Sequence, residues 1–329
     1  MIREGFIALA TLIATLVATR FALGYLRRGQ ILDRPNERSS HTLPTPRGLG
    51  IGVVPIVICG WVATASLEGW RRDILIVCTG AVVLGLVAWI DDVRGLPAGP
   101  RLLVQLAVVA AGLWSLDSPA WLPQPFAAIL AMLLWVGLIN QVNFTDGIDG
   151  HLGVMGVSVG SVIFAASLVV ASLRSIGPLA LIIAGACLGF LPLNWHKAKA
   201  FMGDVGSVPL GYLTGWLLLR TLAVEQWAVA GGALLFYFLD TAVTYGGRIA
   251  RRERFWQPHK LYLYQRAAAG GLAHSRIVTC VALCNVCLGV VVVLASVTHQ
   301  WLALLGFVPA LATYGYLSRF ASPTPKAIR

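Results

Sequence analysis

The sequence predicts an all-α polytopic membrane protein with about 11 transmembrane helices, in which residues 1–329 form one domain. Of the 329 residues, 57% are hydrophobic and only 12% are charged, whereas soluble domains carry about 25% charged residues. Apolar segments long enough to cross a membrane recur along the whole chain, and basic residues concentrate in alternate connections between them. These observations together exclude a soluble globular class.

Eleven apolar segments account for the predicted helices. A membrane helix needs about 20 mostly apolar residues, and shorter or glycine-rich segments are tolerated where neighbouring helices pack closely. The predicted segments lie at about 5–26, 49–66, 74–90, 102–116, 126–141, 153–173, 178–194, 208–223, 227–246, 276–296 and 301–318.

The distribution of lysine and arginine predicts the orientation of these helices. If the N-terminus lies outside and the C-terminus inside, 19 of the 25 basic residues fall on the inner side and only 4 on the outer side. Inner loops of membrane proteins carry such an excess of positive charge. The net charge of +11 is therefore explained by topology, and no nucleic-acid partner is expected.

Two adjacent acids, Asp91 and Asp92, end the third predicted segment on the inner side. Carboxylates at a membrane boundary are costly to desolvate, so a bound cation or a role in proton transfer would explain them. The alternative is an interfacial pair that faces water near Arg94.

A second polar cluster follows the fifth segment and contains Asn143, Asp146 and Asp149. The two aspartates are three residues apart, so a helical turn would place them on one face. Gly147 and Gly150 would let the backbone approach a ligand closely. The alternative is an Asx-rich turn between two helices.

Asp204 lies between two glycines just before the eighth segment. A carboxylate in this position can reach a metal-bound diphosphate, and hard oxygen ligands of this kind suit Mg²⁺. Alternatively, Asp204 or Ser207 is the N-cap of the following helix, a role that is compatible with metal binding.

Two basic inner loops complete the predicted active site at the cytoplasmic face. Arginines can grip phosphate oxygens with two hydrogen bonds, and His259 in the last loop could bind phosphate or assist proton transfer. A basic loop can also be only a topology signal or a contact to anionic lipid. Asp240, inside the ninth segment, is a functional candidate because acids are rare within membranes. The first loop offers Asn36, Arg38, His41 and Arg47.

In this order, the motifs resemble the polyprenyl-phosphate N-acetylhexosamine-1-phosphate transferase family, which is glycosyltransferase family 4. The pattern Asp33-x-Pro-Asn-x-Arg-Ser-Ser-His41 is most similar to the O-antigen-initiating bacterial branch. The resemblance implies catalytic roles for Asp91, Asp92 and His259, and metal binding by Asp204 and Asn143. It implies substrate binding by Asn36, Arg38, His41, Arg47, Asp146, Asp149 and Arg266.

The resemblance also implies an activity. The family transfers a sugar-1-phosphate from a UDP-N-acetyl sugar to undecaprenyl phosphate, giving a polyprenyl-diphosphate sugar and UMP. This reaction is the first membrane step of O-antigen or other cell-envelope polysaccharide synthesis. We therefore expect Mg²⁺ as cofactor, with Mn²⁺ as the alternative, a location in the bacterial inner membrane with a cytoplasmic active site, and contact with the lipid bilayer. Assembly into a homodimer is an open alternative.

The chain departs from the family pattern at two places. Tyr262 stands where the second histidine of a His-x-x-His-x-Tyr-Gln-Arg pattern is usual, and Leu49 interrupts a run of glycines. Three alternatives stay open: a transporter or flippase, which would place acids near the bilayer midplane, a catalytically silent homologue, and the peptidoglycan translocase branch. The last typically carries three consecutive histidines in this loop, which this sequence lacks.

Overall fold

The computed structural model describes residues 2–33, 43–67, 69, 71–116, 126–254 and 259–323, and it is mostly helical. Asn36, Arg38 and His41 lie outside the described residues. The helices are α1 (Ile2–Arg28), α2 (Gly50–Leu67), α3 (Arg72–Arg94), α4 (Ala98–Leu113), α5 (Phe126–Thr145), α6 (His151–Val169), α7 (Gly177–Asn194), α8 (Asp204–Ala223), α9 (Trp227–Gly232), α10 (Leu235–Ala250), α11 (Leu263–Ala269), α12 (His274–Val297) and α13 (Phe307–Ser318).

Eight helical stretches in the described part of the chain are long and apolar enough to cross a membrane. They are α1, α2, α3, α5, α6, α7, α12 and the stretch Gln300–Ser318, which joins a 3-10 turn to α13. Large apolar side chains such as Phe6, Leu9 and Ile13 are exposed on their outer surfaces, where hydrocarbon would cover them. The prediction of a helical, multi-pass membrane protein is confirmed, while the number 11 and the orientation stay predictions.

Helix α8 lies outside those eight because it is less apolar, yet it is buried along most of its length. It packs against α3 and α5, so its neighbours are other helices rather than lipid. Small residues permit this close approach: a Cβ at Gly211 would come within 2.9 Å of the Ile139 Cα. Trp135 of α5 stacks on Tyr212 and donates its indole N–H to the Tyr212 carbonyl, at 2.8 Å.

The ninth predicted segment is two helices rather than one. Helix α9 ends at Gly232 and α10 begins at Leu235. A Cβ at Gly232 would overlap the side chain of Val292 in α12, so the chain approaches α12 closely where it breaks. Glycine is a poor helix former, and Gly231 and Gly232 stand at this break.

A small β-structure ties the start of α2 to the start of α8. Strand β1 (Leu32–Asp33) pairs antiparallel with β2 (Thr45–Pro46). The next residue, Arg47, forms an isolated parallel bridge with Phe201. Gly50 then donates its N–H to the Met202 carbonyl at 2.9 Å. The segment preceding α2 is thereby fixed against the segment preceding α8, and this positions Arg47 beside Asp204.

Candidate active site

The predicted polar clusters meet at one end of the helix bundle. There the ends of α3, α5 and α7 lie beside the starts of α2, α4, α8 and α12. The contacts that join them run between side chains far apart in sequence, such as Arg47 with Asp204 and Asp149 with His274. Each of these polar residues lies at a helix terminus, or just outside one, on the same side of the bundle. This common placement brings them together.

Asp204 is the centre of an acidic cluster that also contains Asp91, Asp92 and two arginines. Arg47 hydrogen-bonds the Asp204 carboxylate through Nη2 and holds Asp92 Oδ1 through Nε at 3.1 Å. Arg101 is paired with Asp91 and lies 3.6 Å from Asp204 Oδ2. Two guanidinium groups thus bridge three carboxylates, and each arginine side chain remains 36% exposed. The cluster can therefore still present positive charge to an anionic ligand.

Asp92 caps a helix to which it does not belong. Its carboxylate accepts hydrogen bonds from the backbone N–H groups of Val205 at 2.9 Å and Asp204 at 3.3 Å. These N–H groups are at the start of α8, where no carbonyl of the helix itself can accept them. A negative charge is also favoured by the helix dipole there. Asp92 thus fixes the orientation of the turn that carries Asp204.

Asp91 holds the connection between α3 and α4. Its Oδ1 accepts the backbone N–H of Leu96 at 2.6 Å, and its Oδ2 is paired with Arg101. Asp91 therefore orders the loop that brings Arg101 towards Asp204. Both of the adjacent acids have defined positioning contacts in this structure.

Asp146 shapes the segment just before Asp204. Its carboxylate accepts the N–H of Gly203 at 2.9 Å and that of Met202 at 3.4 Å. Burial raises the pKa of Asp146 to about 7, although the hydrogen bond from Gly203 opposes this. Gly203 has a φ of 73°, a left-handed conformation that glycine adopts at little cost. Asp146 and Gly203 together place Asp204 at the start of α8.

Asn143 is connected to the same turn of α8. Its Oδ1 accepts a hydrogen bond from the hydroxyl of Ser207 at 2.9 Å. Ser207 is three residues after Asp204 and so lies one turn further along the helix face. Asn143 is thereby fixed to the first turn of α8, the helix that Asp204 begins, and both predicted metal ligands offer oxygen donors.

Asp149 lies in a separate group with two histidines. His196 Nδ1 is 2.8 Å and His274 Nδ1 is 3.3 Å from the same carboxylate oxygen, Oδ2. Burial alone would raise the pKa of Asp149, but the hydrogen bonds from His274 and His196 lower it. Asn194 supports the loop by accepting the N–H of Gly150 at 2.9 Å.

His259 lies among aromatic rings. The ring centroids of Tyr262 and Tyr245 are 4.9 Å and 5.6 Å from that of His259, and its Nδ1 accepts the N–H of Leu261 at 3.2 Å. Burial and the charge of Arg248 lower the pKa of His259 to about 4. The imidazole is therefore neutral at pH 7, and the hydrogen bond that Nδ1 accepts from Leu261 places its proton on Nε2.

Two other predicted candidates have structural partners outside the acidic cluster. Arg266 donates from Nε to the Ser322 carbonyl at 2.9 Å, which fixes the segment that follows α13. Asp240 accepts the backbone N–H of Leu263 at 2.9 Å and so holds the start of α11. The structure does not bring Arg266 to Asp204.

Three residues of this region were not among the predicted site residues: Arg101, His196 and His274. Arg101 lies nine residues after Asp92, and the sequence explains its positive charge equally well by membrane topology. The two histidines each lie two residues outside a predicted apolar segment. Their positions at predicted inner helix ends could have indicated a role, because the other clusters occupy the same kind of position.

Known proteins are similar in sequence to most of this chain. The family model described as glycosyl transferase family 4 matches residues 74–222. A probable undecaprenyl-phosphate N-acetylglucosaminyl 1-phosphate transferase of Bacillus subtilis is 28% identical, over 92% of this chain and 88% of the relative. Decaprenyl-phosphate N-acetylglucosaminephosphotransferase of Mycobacterium tuberculosis (strain ATCC 25618 / H37Rv) is 29% identical, over 83% and 78% respectively.

A third relative belongs to another group of enzymes. Phospho-N-acetylmuramoyl-pentapeptide-transferase of Synechococcus sp. (strain JA-2-3B'a(2-13)) is 31% identical, over 67% of this chain and 69% of the relative. The residues matched by the family model include the acids of α3, the polar end of α5 and the first turn of α8. The family model therefore covers the three aspartates of the acidic cluster and Arg101, while Arg47 lies before the matched residues.

Proposed function

Because the chain belongs to glycosyl transferase family 4, we propose that it transfers a sugar-1-phosphate from a UDP-N-acetyl sugar to undecaprenyl phosphate. The products are a polyprenyl-diphosphate sugar and UMP. The observation that carries the proposal is the arginine-bridged acidic cluster around Asp204, whose three aspartates and Arg101 lie within the matched residues. Relatives named for transfer to undecaprenyl and decaprenyl phosphate support the lipid acceptor.

The location of the cluster suits two unlike substrates. A UDP-sugar is soluble and highly charged, whereas a polyprenyl phosphate keeps its tail in hydrocarbon. A site at the end of the bundle lets both phosphates meet while the tail stays in lipid. We place this end at the cytoplasmic face of a bacterial inner membrane, in the first membrane step of O-antigen or another envelope polysaccharide.

The transfer exchanges one phosphoanhydride bond for another, and the ester bond between the sugar and its phosphate is kept. An oxygen of the lipid phosphate attacks the β-phosphorus of the UDP-sugar. The bond from that phosphorus to the bridging oxygen breaks, and UMP leaves with the electron pair. Arg47 and Arg101 would bind phosphate oxygens through their exposed edges, where paired N–H donors match the geometry of a phosphate. This contact would orient the reacting groups.

Magnesium fits the donors at this site. Asp204 and the amide oxygen of Asn143 would hold it, and both are the hard oxygen ligands that Mg²⁺ prefers; Mn²⁺ is the alternative ion. When bound, such an ion neutralises charge on the diphosphate. Asp146 and Asp92 would keep the turn of Asp204 in place for this purpose through their backbone hydrogen bonds.

We assign Asp91 and Asp92 positioning roles rather than that of a general base. Each is already engaged by an arginine and by backbone N–H groups. The reaction needs little help from a base, since a phosphate monoester with a second pKa of about 6 is mostly dianionic at neutral pH. His259 would act as a neutral hydrogen-bond donor to a phosphate oxygen.

This role of His259 predicts its pH dependence. With a pKa of about 4, its protonation is complete only well below the range in which the enzyme would be assayed. The kcat/KM profiles of the wild type and His259→Gln between about pH 5.5 and 8.5 should therefore share one acid limb, with lower values for the variant. If instead the wild type lost activity on the alkaline side of its profile, and His259→Gln lacked that basic limb, a cationic imidazole would be required.

The transport alternative is less well supported. A coupling site would need an acid that is available near the middle of the bundle. Asp240 is the buried acid of α10, but its carboxylate is used by the N–H of Leu263 and the hydroxyl of Thr244, at 2.9 Å and 3.4 Å. Its role in the described structure is to hold α11 in place.

The proposed function is tested with purified protein in detergent. We expect UMP release when undecaprenyl phosphate, Mg²⁺ and the correct member of a panel of UDP-N-acetyl sugars are all present. Omission of the lipid, or addition of a chelator, should stop the release. UMP release that needs no lipid would contradict the acceptor. No release with any sugar, while a related transferase works in the same assay, would favour a silent homologue.

A further inference from the structure

Three metal-ligating side chains meet beside the acidic cluster. Asp149 follows α5, His196 follows α7 and His274 begins α12. One ligand atom from each lies within 4.8 Å of the others. Asp149 is buried, His274 is half-buried, and His196 is the most exposed of the three, so one side of the group is open to solvent.

The spacing of these atoms resembles the edge of a metal coordination shell. Ligands at about 2.0–2.1 Å from a tetrahedral Zn²⁺ are about 3.3 Å from one another. Asp149 Oδ2 is 2.8 Å from His196 Nδ1 and 3.3 Å from His274 Nδ1. Small movements of the half-exposed His196 would therefore admit an ion between the three groups.

We propose that Asp149, His196 and His274 form a binding site for one divalent ion of the zinc class, distinct from the oxygen-lined site at Asp204. Imidazole nitrogens suit Zn²⁺ and similar borderline ions, whereas Mg²⁺ is bound almost entirely through oxygen. Two histidines and one carboxylate supply three ligands, and the exposed side leaves a fourth position for water. The site does not depend on the proposed transferase function.

An ion here would cross-link three parts of the chain. It would join the loop after α5, the connection after α7 and the start of α12. The first of these also carries Asp146, whose carboxylate holds the N–H of Gly203. Because the ion would bind the folded arrangement and not the unfolded chain, it would raise the thermal stability of this end of the bundle.

The test uses the full chain, purified through a tag without histidine and stripped with a chelator. Zn²⁺ alone is then titrated, followed by calorimetry, thermal melting and X-ray absorption. We expect one Zn²⁺ per chain, retained in millimolar Mg²⁺, with two imidazoles in its nearest shell. His196→Ala and His274→Ala should each weaken Zn²⁺ binding at least about tenfold, since even an outer partner costs this much.

His299→Ala is the matched control. His299 lies just beyond the other end of α12 and is exposed, so its loss should change neither zinc binding nor the melting temperature. His196 is exposed enough that His196→Ala should fold even if His274→Ala does not. Absence of stoichiometric binding in the wild type, or equal binding in His196→Ala, would overturn the proposal and leave a hydrogen-bonded clamp without an ion.

Discussion

Replacement of Asp204 by alanine is expected to abolish turnover, with a loss in kcat of at least about 10³-fold. The carboxylate stands between Arg47 and Arg101 and is the oxygen donor that we assign to Mg²⁺. Its removal would take away both the ion and the group that orients the two arginines. Conversely, the fold should survive, because α8 is capped by Asp92 through backbone N–H groups that alanine retains.

The measurement is UMP release under saturating substrates, together with the melting temperature of each variant in detergent. Asp73→Asn is the matched control: Asp73 also forms an ion pair with an arginine, Arg71, but at the opposite end of α3. We expect it to retain wild-type turnover. Full activity in Asp204→Ala would refute the assignment of Asp204 to the metal and to the reacting phosphates.

Gly50→Ala is expected to cost about 3 kcal/mol or more of folding free energy and to lower activity with it. A Cβ at Gly50 would overlap backbone atoms of Gly206 and come within 2.9 Å of the Val205 carbonyl carbon. No side chain can move aside, so the starts of α2 and α8 must separate. The hydrogen bond from Gly50 N–H to Met202 O would then break, and Arg47 would move away from Asp204.

The check is a comparison of melting temperatures in the same detergent. Gly137→Ala in α5 is the control, since a Cβ there would meet nothing within 4 Å, and alanine favours a helix over glycine. We expect Gly137→Ala to melt at or above the wild-type temperature and Gly50→Ala well below it. Equal melting of the two variants would show that α2 and α8 do not approach each other so closely.

The fold class was predictable because a helix that crosses a lipid bilayer needs about 20 mostly apolar residues. Such segments are visible directly in the sequence. Each of the eleven predicted segments is mostly helical in the described residues, although the ninth is divided between α9 and α10. What hydropathy could not indicate is which of them face lipid. Helix α8 is buried among other helices, so its small residues serve close packing. The helix break after Gly232 lies where the chain approaches Val292 of α12, a contact that hydropathy does not indicate.

The candidate site was predictable in its location but not in its contacts. Motifs at helix ends on one side of a bundle share one surface, and the structure brings Asp92, Asp146 and Asp204 together there. Sequence adjacency could not reveal that Asp92 points to α8 while Asp91 points to the α3–α4 connection. Nor could it pair His196 with His274, since 77 residues separate them.

The capping of α8 by distant carboxylates has a consequence for biosynthesis. Asp92 and Asp146 are synthesised well before the N–H groups of Val205 and Gly203 that they accept. A nascent chain that ends before α8 therefore contains both carboxylates but lacks the backbone N–H groups that donate to them. The acidic cluster around Asp204 therefore requires α8, and a chain truncated before α8 should be inactive.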